Sequence, residues 1–203
     1  RPLVDEEDIK RFRDRAMSPE RPVVRGTAEN PETFFTHREA SNSAYENVPE
    51  VVEHYLNELT KITGREHHLF DYYGANDAEN IIILMGSATE AAREAIDYLM
   101  SQGKKVGMVA VHLYRPFSVK HLLAAVPETV KRIAVLDRTK EPGAEGEPLY
   151  LDVKSAFYDV KNKPLIVGGR YGLGSADTTP AKIIAVYNNL ELPEPKDHFT
   201  VGI

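Results

Sequence analysis

The stretch Ile81–Phe117, IIILMGSATEAAREAIDYLMSQGKKVGMVAVHLYRPF, decides the fold. Ile81 to Met85 is an unbroken apolar run rich in β-branched side chains, ended by Gly86-Ser87. A strand of that kind is buried on both faces, which points to a parallel sheet. Ser87 stands where a helix would begin, and Glu90 three residues on completes a capping box, each side chain covering a backbone N–H that the first turn leaves orphaned. Ala88, Ala91, Ala92, Ala95, Ile96 and Leu99 then recur on one helical face. Gly103 supplies a left-handed stop, and Val106 to Leu113 returns as a second strand. The stretch predicts a strand–helix–strand unit with a right-handed crossover.

Working outward toward the carboxyl end, Arg115-Pro116 forces an extended exit, because a residue before proline is pushed out of the helical region. Ser118 opens a short helix that Pro127 stops, and Arg132 to Leu136 is a third buried strand with Asp137-Arg138 at its end. Thr139–Pro148, TKEPGAEGEP, reads as an exposed, mobile loop. Leu149 to Tyr158 has a helical apolar face, Leu165 to Val167 is a further strand, and Thr179 with Pro180 opens the last helix. Toward the amino end, His67–Tyr73 fits a first or edge strand, and Asn47–Gly64 a helix capped by Asn47 with Pro49 in its first turn. Adjacent residues on a strand point to opposite faces, which argues against a metal shared by His67 and His68. Arg21–Phe35 is an ordered loop, and Arg1–Ala16 a surface helix whose acidic start and basic end suit the helix dipole. The organisation expected is a connector over 1–65, an α/β domain over 66–190, and a proline-stiffened exit linker over 191–203.

Composition narrows the function classes. With 203 residues, a hydrophobic fraction of 42% and no apolar run near the roughly 18 residues of a membrane span, the chain predicts a non-membrane domain with a substantial core. Its opening Arg-Pro, without an initiator Met, reads as a segment of a longer protein. No cysteine is present, so no disulfide, thiolate zinc site or ordinary iron–sulfur cluster can be built from these residues, and a cytoplasmic setting is the simple expectation. A formal charge of −6 disfavours a nucleic-acid binder.

Three catalytic templates fail on spacing. After the first strand only Gly86 is present where a dinucleotide site needs three glycines, and no Gly-Lys-Ser/Thr follows a strand. Ser87, Asp137 and His198 fall in hydrolase order, but Met85 and Thr89 stand where a nucleophile elbow needs small residues, so capping explains Ser87 more simply. Two loops carry candidate binding groups. Arg25, Thr27 and Asn30 are either aimed at a ligand or neighbour, or are polar groups of an extended linker. In GGRYGLGS (168–175), Arg170 beside Gly172 and Gly174 either forms an anion nest or, the favoured reading, allows close contact with an adjacent domain or subunit.

RPVVRGTAENPETFF, HHLFDYYGA, VHLYRPF, AVLDRTKEPGAEGEPLYLDV and GGRYGLGS together resemble pyruvate:ferredoxin (flavodoxin) oxidoreductase, specifically its second domain with the connector before it. That domain is similar to the carboxyl-terminal domain of transketolase, with its turn after the second strand at Arg115-Pro116. The resemblance implies a three-layer α/β/α sandwich on a mostly parallel sheet of about five strands with one antiparallel edge. It implies a parent homodimer that converts pyruvate and coenzyme A to acetyl-CoA, using thiamine diphosphate, Mg2+ and [4Fe–4S] clusters and reducing ferredoxin or flavodoxin. It places none of those cofactors, and no catalytic or metal-binding residue, in this segment. The partners it implies are other domains of the same polypeptide, and the role a structural one, with coenzyme A or anion binding as the alternative.

Overall fold

A computed structural model of the chain describes residues 4–23, 26 and 28–202. These residues form two compact units, divided between Asn42 and Ser43. The first holds helices α1 (Glu6–Asp14) and α2 (Pro31–Ala40). Asp5 caps α1 by accepting the Asp8 N–H at 2.8 Å, the acidic first turn and basic last turn following as the sequence predicts. The expected loop over 21–35 is cut short by α2, which Pro31 opens at a position where a missing N–H costs nothing.

The second unit is a six-stranded sheet in the order β1-β3-β2-β4-β5-β6, clothed by helices on both faces. Its strands are β1 (Phe70–Gly74), β2 (Asn80–Met85), β3 (Val106–Val111), β4 (Arg132–Asp137), β5 (Leu165–Arg170) and β6 (Phe199–Thr200). β1 pairs antiparallel with β3 and the remaining pairs are parallel, so the α/β sandwich with one antiparallel edge is the observed fold. The two-residue side-chain period of β2 divides the core. Ile82 and Leu84 face α4 (Ala88–Ser101) and α7 (Pro180–Glu191), whereas Ile81 and Ile83 face α5 (Val119–Ala125) and α6 (Pro148–Ala156). All four side chains are fully buried, which explains the unbroken apolar run.

Several local expectations need correction. Ser87 makes no capping bond: Gly86, at φ +78°, turns the chain so sharply that Ser87 is already helical, whereas capping needs an extended residue. The Ser87 carbonyl accepts from the Glu90 N–H instead. At the other end Gly103 stops α4 as expected, with Gly103 N–H bonded to the Met100 carbonyl and Lys104 N–H to that of Leu99. Asn47 does not cap a helix; α3 (Asn42–Thr63) already runs through it, and through Pro49. Val52 and Leu56 of α3 pack on the sheet core, so a helix read from sequence as connector belongs to the α/β unit. The exit segment 191–203 contributes β6, too short for a periodicity to announce it. Glu147, expected in an exposed loop, is buried.

Candidate functional site

β2 and β4 lie side by side and parallel, yet the chain leaves β2 toward the α4 face and β4 toward the α6 face. In a doubly wound sheet that divergence opens a crevice at the strands' carboxyl ends, the usual seat of a ligand. Here Tyr171 sits between those ends. Its hydroxyl donates to the Met85 carbonyl at 3.2 Å and its N–H to the Asp137 carbonyl at 3.1 Å. The ring joins the α4/α7 core and is only 4% exposed. Burial pushes its phenol pKa up, against the opposing charge of Arg138, so it remains a protonated donor.

Around this plug lies a collar of charged groups held by backbone N–H and carbonyl groups and, at Glu147, by one another. Asp137, buried at the end of β4, accepts the Leu149 and Tyr150 N–H groups, each at 3.0 Å. It thereby caps α6, whose own N-cap residue Glu147 makes no such bond. Burial raises the Asp137 pKa, the two N–H bonds pull it down, and the charges of Glu147 and Asp152 raise it again, leaving it above the ordinary value. Glu147 Oε1 lies 3.4 Å from Arg170 Nη1 and 3.8 Å from Lys140 Nζ. The other Arg170 terminal nitrogen donates to the His198 carbonyl at 2.5 Å. Arg138 Nε donates to the Gly172 carbonyl at 3.1 Å.

A third cluster holds β6 in place. Asp197 accepts from the Gly168 N–H at 2.7 Å and the Tyr150 hydroxyl at 2.7 Å. Burial pushes this carboxyl up, but those bonds, with the His198 N–H and the His198 charge, outweigh it and hold the pKa below its ordinary value. Tyr150 and Lys154 form a Tyr-x-x-x-Lys pair with Nζ 2.9 Å from the hydroxyl. In an open cleft such a pair can shuttle a proton; here burial and Asp197 drive the phenol pKa up, and the ring is fully buried. Gly169 lets the Phe199 ring approach β5 closely, since a Cβ there would meet that ring at 2.4 Å.

Residues 78–183 match the family model described as pyruvate:ferredoxin oxidoreductase core domain II, more than half of the chain. The chain belongs to the pyruvate:ferredoxin oxidoreductase core domain II family. Residues 1–57 match a second model, pyruvate flavodoxin/ferredoxin oxidoreductase, thiamine diphosphate-binding. Similar curated proteins include pyruvate-flavodoxin oxidoreductase of Enterobacter agglomerans, 56% identical over 99% of this chain and 17% of the relative. Pyruvate:ferredoxin oxidoreductase of Moorella thermoacetica is 51% identical over the same shares. The chain thus spans about one sixth of the length of these relatives. A 2-oxoglutarate:ferredoxin oxidoreductase from Magnetococcus marinus, solved with 2-oxoglutarate, coenzyme A and succinyl-CoA bound, matches at TM-score 0.44 and 18% identity. It covers 80% of this chain and 24% of its own, a likeness too loose to bear on the site.

Within this core domain II, the structure brings Arg170 and Gly172 together in the collar, while Gly174 lies one turn beyond with no atom within 4 Å of a notional Cβ. Gly172, Gly174 and Ser175 all take positive φ. Asn30 stands at the N-cap position of α2 in the other unit without a side-chain capping bond. Arg25 and Thr27 lie outside the described residues. Ser87, Asp137 and His198 make no relay, for both Asp137 oxygens are engaged by α6 and the His198 ring lies 3.6 Å from Asp197. Sequence reasoning missed Tyr171, Glu147 and Asp197. The one available signal was a large aromatic set among the glycines of GGRYGLGS.

Proposed function

We propose that this core domain II is a structural, interface-forming module of a pyruvate:ferredoxin (flavodoxin) oxidoreductase. The parent enzyme in this reading is a cytoplasmic homodimer. It decarboxylates pyruvate oxidatively to acetyl-CoA with thiamine diphosphate, Mg2+ and [4Fe–4S] clusters, and it reduces ferredoxin or flavodoxin. The segment before α3 connects the thiamine diphosphate-binding part to the α/β body that α3 opens, and 191–203 lead on past β6 toward the next domain. The segment itself holds no cofactor and catalyses no step; its rigid sheet keeps catalytic domains in register, a contribution to pre-organisation.

The observation that supports this reading is the Tyr171 plug: the crevice where such sheets take ligands is filled by a core residue whose hydroxyl bonds the end of β2 and whose backbone N–H bonds the end of β4. A second reading, a coenzyme A or anion site, draws on the positive φ of Gly172, Gly174 and Ser175, which bends the backbone toward the shape of an anion nest. It would use Arg170, Gly172 and Gly174, and from the connector Arg25, Thr27 and Asn30. Against it, Arg170 is 15% exposed and already bonded to Glu147 and the His198 carbonyl. Calorimetric titration with coenzyme A separates the two. A flat trace is expected; heat that disappears in Arg170→Lys, which keeps the charge but loses the planar fork, would transfer the assignment to the second reading.

A further inference from the structure

Helix α3 carries more apolar surface than the fold uses. Val52 and Leu56 face the sheet core, and one face round from them Val51, Tyr55, Leu59 and Ile62 recur at helical spacing. That second stripe is open to solvent, Tyr55 at 67% and Ile62 at 83% exposure. Its margins are polar: Glu58 pairs with Lys61 at 2.6 Å. An edge-on contact of His54 with Tyr55, ring centroids 5.3 Å apart, steadies the largest side chain. Apolar anchors inside a charged rim are the anatomy of a protein interface rather than of a solvated helix face.

What covers it is indicated by the family matches. The thiamine diphosphate-binding model runs through residue 57, so it takes in Val51 and Tyr55, although the helix bearing them packs on the core domain II sheet. The relatives show how much polypeptide is available, since this chain accounts for 17% of their length. We propose that the Val51–Ile62 stripe is the seat of the thiamine diphosphate-binding domain of the same polypeptide, α3 serving as a strut shared by the two domains. This rests on the interface-module reading above and specifies which surface and which neighbour.

The test uses the full-length enzyme with photo-reactive p-benzoylphenylalanine in place of Tyr55 and, separately, of Ile62. After irradiation and digestion, cross-linked peptides are identified by mass spectrometry. The expected result is a link from both positions to the thiamine diphosphate-binding domain, on a band of single-subunit mass. A band of doubled mass, which would put a second copy on the stripe, overturns the proposal. So does a link to any other domain, or no link in protein that retains its cofactor. Such failures leave the interface-module reading standing, whereas coenzyme A heat would overturn that reading without altering the cross-link.

Discussion

Residues 4–42 and residues 43–202 reach regular structure by different routes. In the first unit α1 has what a helix can supply for itself: Asp5 as cap, an acidic first turn, a basic last turn and an Asp8–Arg11 ion pair one turn apart. Yet no described residue of that unit is buried, and Phe12 and Phe35 are both 71% exposed. In the second unit Ile81 to Leu84 vanish from solvent between two helix layers. Local signals are enough to shape a helix, but only long-range burial offsets the entropy of ordering a chain. The contrast separates what is formed from what is held.

The comparison can be broken by matched truncations. Ile83→Ala should cost about 3–4 kcal/mol in chemical denaturation while Phe12→Ala stays within about 0.5 kcal/mol. Equal losses would show that the N-terminal unit has a core of its own. Arg170→Ala should remove about 3 kcal/mol, because the buried Glu147 carboxylate loses its nearest cation. Arg170→Ala paired with Glu147→Gln should recover part of that loss, and no recovery would refute the coupling. A smaller effect, about 1 kcal/mol, is expected for Asp5→Ala. It should appear as faster amide exchange in α1 with the sheet's unfolding midpoint unmoved.

The smallest effect is pH-dependent. His68 pairs with Glu53 of α3 at 2.6 Å, and this bond, against partial burial, raises its pKa above the ordinary 6.5. A group whose pKa is raised on folding stabilises fully below its unfolded value, and that contribution is lost as pH rises through the folded value. Protection of the Leu69 N–H, which Glu53 also accepts at 3.1 Å, should therefore fall as pH rises above about 6.5. In His68→Gln that slope should flatten; an unchanged slope would assign it elsewhere.

Much of the frame was legible because its signals lie within a few residues of one another. The apolar run of β2, the left-handed stop at Gly103 and the Thr179–Pro180 start of α7, where Thr179 Oγ1 accepts the Lys182 N–H at 3.4 Å, are local. The errors at Ser87 and Asn47 were local readings overridden by a neighbour: a glycine turn in one case, a helix already under way in the other. The candidate site was hardly legible. Asp137 caps a helix eleven residues further along, and Tyr171 bonds Met85 across the sheet, pairings that no window of sequence contains.

By itself the sequence determined a sheet of parallel strands with helices between them, since side-chain period and caps are properties of neighbouring residues. Only the tertiary structure decided that the crevice at the carboxyl ends is closed, that Arg170 is bound to Glu147 and the His198 carbonyl, and that α3 keeps an apolar stripe in the open. Each depends on which distant groups meet, and that is fixed when the sheet assembles.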